Sequence, residues 1–366
     1  MRPLSEVHAV VPAGIDDAAR VSGGNVYDRR VLDGLPASGW AVTEHPVSGS
    51  WPRPDGAALA RLDAVVATVP PRGLLFLDGL VASCADSVLV PAAAAGLRVV
   101  VLVHLPIGLA DPLAAEGEQR VLTAASAVVT TSGWARDVLL DAYALAPDGV
   151  HVARPGVDRA PESVGTPGGT RLLCVAAVTA LKGHADLVAA LALVADLPWS
   201  CVVAGALDRD PAVVAALRGR LSQEGLTDRV HLAGALHGAD LEGAYAAADL
   251  LVLPSHVETY GMVVTEALAH GLPVVATAVG GLPEALGEVL GEVPSEALDG
   301  ADDGRPGLLV PPGRPEELAD ALRCWLTDGD RRERLRRRAL HRRLQLSPWS
   351  RTVEDVSAVL GGAGDL

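Results

Sequence analysis

Short runs of Val, Ala and Leu alternate along the chain with amphipathic stretches of helical period, the pattern of doubly wound parallel α/β sheets. In the first half "VHAVV" (7–11), "WAVTEH" (40–45), "GLLFLD" (73–78), "RVVVLVH" (98–104) and "AVVTT" (127–131) read as strands, separated by helices such as 25–38 and 133–146. Strands that are apolar throughout are buried on both faces, which requires helices above and below each sheet. The pattern breaks at "RPGVDRAPESVGTPGGT" (154–170), whose Pro and Gly content marks an interdomain linker. A second series follows with "RLLCVAAV" (171–178), "WSCVVAG" (199–205), "RVHLAG" (229–234), "DLLVLPS" (249–255), "LPVVATA" (272–278) and "GLLVP" (307–311). After Pro348 a last helix restarts over 347–360. The pattern predicts an α/β chain of two Rossmann-like domains, 1–158 and 159–346, followed by a closing segment, 347–366. Two such domains facing each other leave a deep cleft, and open α/β sheets take ligands beyond the carboxyl ends of their strands.

Composition sharpens this picture in one place. The chain has a single lysine, Lys182, against 29 arginines, and Asn25 and Phe76 are likewise its only Asn and Phe. Such scarcity follows from GC-rich codon usage, which replaces Lys by Arg wherever a guanidinium serves. A surviving lysine is either chance or a place where a compact ammonium must enter a tight polar site. The four cysteines (Cys84, Cys174, Cys201, Cys324) show no CxxC or metal spacing, so a reducing cytoplasm is the expected location. The N-terminus lacks a signal-peptide pattern, and no apolar run reaches the ~18–20 residues of a membrane span. A net charge of −15 argues against nucleic acid as partner. The Arg-rich segment 331–343 carries eight Arg and one Glu and reads as a solvated helix face or as a phosphate or partner patch.

The densest chemistry lies in "LPSHVETYGMVVTEALAHGLPVVAT" (253–277). A strand ends at Pro254, a loop carries Glu258, Gly261 closes a turn and a helix begins near Met262, with Glu266 eight residues beyond Glu258. The free N–H groups of Gly261, Met262 and Val263 would form an anion site, with one carboxylate on either side for sugar hydroxyls. The alternative is a capped helix with two dipole-stabilised glutamates. In "RVSGGNVYDRR" (20–30), Gly23 and Gly24 precede a helix and form a second phosphate cradle, distinct from the GxGxxG pattern. Asn25 there is either a helix cap or an acceptor contact. His104 stands at the C-terminal end of a buried strand, where ligands meet α/β sheets.

The Glu258-x7-Glu266 segment resembles the signature of retaining GT-B glycosyltransferases of family 4, with Tyr260 in place of the usual Phe. The resemblance implies a GT-B fold whose C-terminal helix (347–366) crosses back onto the N-terminal domain. It implies that Glu258 holds donor-sugar hydroxyls and that Glu266 grips the ribose. Backbone amides at Gly261, Met262 and Val263 would meet sugar and phosphate, with Gly23 and Gly24 against the diphosphate from the opposite wall. Lys182, in "ALKGH", matches the lysine that neutralises the leaving diphosphate, and His104 the active-site histidine that touches sugar or acceptor. The sequence departs from the family where an Arg partners this lysine: Ala177 and Leu181 occupy those positions.

The expected activity is retaining transfer of a hexose or N-acetylhexosamine from a nucleoside diphosphate sugar, with UDP favoured over GDP or ADP. No metal and no cofactor beyond the nucleotide-sugar co-substrate are expected, and no enzymatic nucleophile emerges, as in a front-face mechanism. Residues 1–150 carry 10 Arg against 16 Asp and Glu, a net of −6, which disfavours anionic membranes and points to a small soluble acceptor in specialised metabolism. Trp51, in the loop "SGSWPRPDG" (48–56), is a candidate acceptor lip. The rival readings are a GT-B epimerase or disaccharide synthase, and a non-catalytic nucleotide-sugar binding protein.

Overall fold

The computed structural model describes residues 5–17, 22–287 and 304–363. The chain divides into two compact units, Met1–Gly156 with Ser347–Leu366, and Val157–Leu346.

In the first unit, β1 (Ser5–Pro12), β2 (Trp40–Val47), β3 (Leu74–Asp78), β4 (Arg98–Val103), β5 (Ala127–Thr130) and β6 (Val150–Val152) form one sheet in the order β2-β1-β3-β4-β5-β6. Every pairing is parallel. All five residues of β3 are buried, as double-sided cover demands. One apolar layer, including Val10, Leu75, Leu77 and Leu139, fills one face, and Val7, Ala9, Phe76 and Val129 fill the other. β6 has no counterpart in the hydrophobic pattern, because three residues are too few to register as a run. The helix expected over 25–38 is an α-helix only over Gly23–Gly34, continued by a 3₁₀ turn at Leu35–Ser38. Pro36, which has no N–H to donate, accounts for the change of helix type.

The terminal helix Trp349–Gly362 belongs to this unit and buries Val353, Val356 and Leu360 against Val7, Tyr27 and Trp40. Trp40 Nε1 donates to Ser357 Oγ at 2.9 Å, and Thr352 Oγ1 donates to the Arg154 carbonyl at 2.7 Å.

The second unit repeats the architecture with β7 (Arg171–Val175), β8 (Ser200–Ala204), β9 (Val230–Gly234), β10 (Leu250–Leu253), β11 (Val274–Thr277) and β12 (Gly307–Val310). Its parallel sheet runs β12-β11-β10-β7-β8-β9, the dinucleotide-fold order, whose topological switch point falls between β7 and β10. In the first unit the corresponding reversal falls between β1 and β3. Loops leaving the carboxyl ends of those strands are therefore where ligand chemistry is expected.

The Arg-rich helix Gly329–Arg343 corrects the expectation of a merely solvated face. Arg332 donates to the Trp325 carbonyl at 2.7 Å, Arg336 pairs with the fully buried Asp249 at 2.9 Å, and Arg343 donates to the Ala269 and Ala160 carbonyls at 2.7 and 2.5 Å. Guanidinium forks here tie the helix to its own unit by satisfying carbonyls that would otherwise be unpaired.

Candidate active site

In the second unit, two loops meet at the switch point. After β7 the chain makes a 3₁₀ turn, Ala180–Lys182, and Gly183 follows in the left-handed region at φ +67°. A Cβ at Gly183 would overlap the carbonyl oxygen of Pro254, so only glycine lets the turn sit against the loop after β10. The His256 N–H donates to the Leu181 carbonyl at 2.8 Å and locks the two loops in register. The result places Lys182 Nζ 2.6 Å from Glu258 Oε2, with the side chains 29% and 18% exposed. Both residues singled out from sequence are thus brought together, partly buried and accessible.

The helix Met262–Ala269 starts directly after Gly261, which stands at φ +96°. No side chain caps this start, so its N–H groups are not committed to a capping residue. Met262 and Val263 are half-buried at the first turn. Tyr260 is 7% exposed, within the apolar cluster of Val264, Leu268 and Leu282. A large aromatic ring between two turn residues gains more from that apolar contact than from facing water.

Glu266 lies on the same helix, and the Tyr245 hydroxyl donates to its Oε2 at 2.7 Å. Burial raises the carboxyl's pKa and the Tyr245 bond counters that effect, while Glu242 and Asp158 add to the rise. Tyr245 in turn stacks on His270, with ring centroids 5.1 Å apart and planes at 17°. His270 Nδ1 donates to the Pro161 carbonyl at 2.8 Å. Tyr245 was not among the residues singled out from sequence, since one tyrosine in an Ala-rich helix carries no motif. His184 is structural: burial, then the Lys182 charge, pushes it down to about 4, so it is neutral.

The first unit holds the remaining candidates. Gly23 and Gly24 open the helix Gly23–Gly34, and Ser22 is its cap: Ser22 Oγ accepts from the Asn25 N–H at 3.1 Å. The cap reading of Asn25 is thereby overturned, because Asn25 is already the third helical residue. Arg20 and Val21 of the same segment lie outside the described residues. Trp51 donates from Nε1 to the Val47 carbonyl at 3.1 Å and, with Ser50, Pro52, Arg53, Ile107 and Asp111, lines a surface hollow of about 520 Å³.

His104 follows β4, and its Nε2 lies 2.6 Å from Asp28 Oδ1. With Asp78, the three groups have ligand atoms within 4.8 Å of one another. Two carboxylates and an imidazole are a cation donor set in kind. A cation bound at ~2.0–2.2 Å from each atom would, however, hold N and O farther apart than the His104–Asp28 contact. The geometry is that of an ion pair. No spacing in the sequence connected these three residues.

A third buried acid of this unit, Glu118, supports the loop after His104. It is fully buried and accepts from Ser83 Oγ at 2.7 Å, the N–H groups of Ile107 and Gly108 at 3.0 and 2.8 Å, and the Tyr143 hydroxyl. In sequence it sits in "AEGEQR", where no motif marks it.

The fold is that of GT-B glycosyltransferases. Sucrose-phosphate synthase from Thermosynechococcus elongatus superposes with a TM-score of 0.78 at 21% identity, covering 98% of each chain. Anabaena HepE, solved with UDP-glucose, does so at 0.75 and 17%, covering 98% of this chain and 99% of that one. The description "Glycosyl transferases group 1" matches residues 158–342, just over half of the chain, and the protein belongs to that family. Similar curated proteins include the D-inositol 3-phosphate glycosyltransferases of Jonesia denitrificans and Kineococcus radiotolerans. The first is 32% identical over 66% of this chain and 58% of its own length, the second 35% over 65% and 57%. The match thus spans less than two thirds of these relatives.

Proposed function

We propose that the protein is a retaining glycosyltransferase that moves a hexose or N-acetylhexosamine from a nucleoside diphosphate sugar, UDP first, to a small soluble acceptor. The observation that carries this reading is the meeting of Lys182 and Glu258 at the switch point of the second unit, beside the uncapped helix start at Gly261. A diphosphate offers the Lys182 ammonium an anionic partner, and sugar hydroxyls offer Glu258 donors, so both groups exchange one strong contact for another as donor binds. In the reaction the acceptor hydroxyl oxygen bonds to the sugar C1 on the face from which the diphosphate departs. The electron pair of the breaking C1–O bond goes to the diphosphate, which takes the hydroxyl proton. Charge developing on the leaving oxygen is balanced by Lys182 and the helix N–H groups, the kind of preorganised electrostatic stabilisation that usually dominates such catalysis. No metal or cofactor takes part in this proposal.

The acceptor assignment rests on charge. Relatives named for inositol 3-phosphate act on a small acceptor. The net −6 of residues 1–150 here favours a neutral or cationic one, such as an aminocyclitol. A second reading, a nucleotide-sugar binding protein without turnover, is favoured by one observation: Ala177 and Leu181 stand where the family carries an Arg.

Initial rates with UDP-sugars and an acceptor panel distinguish the two. Removing one preorganised charge donor costs ~10²–10³ in turnover, so Lys182→Ala is expected to lose at least that and Lys182→Arg to recover only part. Thermal melts of both variants should match wild type. Tight UDP-sugar binding with no transfer to any acceptor selects the binding protein. Wild-type turnover in Lys182→Arg means that the lone lysine is an accident of codon usage.

A further inference from the structure

Asp28 is a buried carboxylate in a position where the fold does not require one. It sits in the middle of the helix Gly23–Gly34, where no capping task exists, and is 2% exposed. Its Oδ1 meets His104 Nε2 at 2.6 Å, while its Oδ2 is buried without a hydrogen-bond donor. An apolar residue of similar volume would fill that site more cheaply than a charge, so the acid marks a functional demand. Asp78, 6% exposed at the end of β3, uses Oδ1 to accept the Leu80 N–H at 2.8 Å and so caps the short helix Gly79–Ala82. Burial first, and the Asp28 charge next, raise the Asp78 carboxyl to about 7. A protonated Asp78 would donate to Asp28, the usual resolution when two carboxylates share a dry site.

The His104 ring is clamped on its other sides as well. Tyr27 stands edge-on at 5.2 Å with the planes at 76°. A Cβ on Gly24 would come within 3.1 Å of His104 Cδ2, so the glycine at the helix start lets the ring lie against the backbone. With Nε2 held by Asp28, Nδ1 is the ring nitrogen left to meet a ligand.

We propose that Asp28 is a positioning residue for the transfer reaction: by holding Nε2 it fixes the orientation of the His104 ring, so that Nδ1 is presented to a substrate oxygen. This rests on the reading of His104 as an active-site residue. The titratable groups that face the pair are Tyr27 on the same helix and Asp78 on β3, with Asp355 of the terminal helix acting on Tyr27. Burial alone would lower His104, but the Asp28 charge and hydrogen bond, then Asp78, raise it to about 9. The charged ring is therefore present below about 9 and lost as pH rises through that value.

The test compares wild type with Asp28→Asn and Asp78→Asn, using UDP-sugar kinetics across pH and the NMR titration of the His104 ring, assigned with His104→Gln. Asp28→Asn should lower kcat on the order of 10–100-fold, the usual effect of removing a carboxylate behind a functional imidazole, with little change in donor KM. Its alkaline rate limb and its His104 midpoint should both move to lower pH. Asp78→Asn, which keeps the cap acceptor and whose amide N–H stands in for the carboxyl proton as donor to Asp28, should leave both the rate profile and the His104 midpoint much closer to wild type than Asp28→Asn does. An unmoved His104 midpoint in Asp28→Asn overturns the coupling whether or not transfer is observed. A moved midpoint with an unmoved rate profile overturns the positioning role. Absence of transfer by wild type, with the midpoint shift intact, overturns the parent reading of the reaction and this role with it.

Discussion

Glu266 is held against its own burial. Its carboxyl is pushed upward by desolvation, and the Tyr245 hydroxyl at 2.7 Å is the contact that favours the charged form. One carboxylate oxygen is thereby engaged. If Glu266 reads ribose, Glu266→Ala should weaken free UDP and UDP-glucose equally, because the contact is to the shared nucleoside. A hydrogen bond to a charged group is worth ~1.5–3 kcal/mol, or roughly a 10–100-fold rise in Kd for both ligands by calorimetry. Tyr245→Phe should give a smaller loss of the same kind. Unchanged UDP affinity in Glu266→Ala would remove the ribose contact from the mechanism. At this scale Glu258 and Glu266 stand out in the sequence because one short segment holds both, and Lys182 because it is the single lysine of the chain. Asp28, Asp78, Glu118 and Tyr245 do not, because each acquires its meaning from a partner distant in sequence.

Among the elements, the terminal helix shows how a short segment can be essential to a distant part of the chain. Val353, Val356 and Leu360 occupy one side of it at helical spacing and close the core around Tyr27 and Trp40. Gly34 makes room: a Cβ there would collide with Val353. Leu360→Ala removes fully buried methyls from this seam and should cost roughly 2–5 kcal/mol, read as a lower midpoint in urea with an unchanged slope. A loss below ~0.5 kcal/mol, the range of surface substitutions, would mean that the helix is not part of that core. Helix and strand periods made most elements visible in advance. β6 escaped because it is three residues long, and the first helix changes to 3₁₀ at Pro36, inside the span its period predicts.

For the molecule as a whole, charge is the property that bears on partners. The chain carries −15, and residues 1–150 carry −6 of it. Eight of its arginines lie in 331–343, yet Arg332, Arg336 and Arg343 of that segment are occupied with carbonyls and a buried Asp. A charged surface of this sign is repelled by anionic lipid. No helix among the described residues is long and apolar enough to cross a membrane. In flotation with anionic liposomes at physiological salt, the protein should stay in the bottom fraction. Robust co-flotation would point to a lipid acceptor in place of a soluble one.

The amino-acid order by itself determined the α/β layering in two series of strands and the loop-then-helix course of the Glu258–Glu266 segment. These depend on local periodicity and on residues a few positions apart, and such patterns survive in one dimension. Tertiary structure alone decided that Lys182 pairs with Glu258, 76 positions away, and that Asp28, Asp78 and His104 share one buried site. It also turned Tyr260 into the core and gave the helix cap to Ser22. The reason is that burial and ion pairing depend on which strand ends the sheet order brings side by side. That order, β2-β1-β3-β4 in one unit and β10-β7 in the other, is a property of packing that no local run of residues encodes.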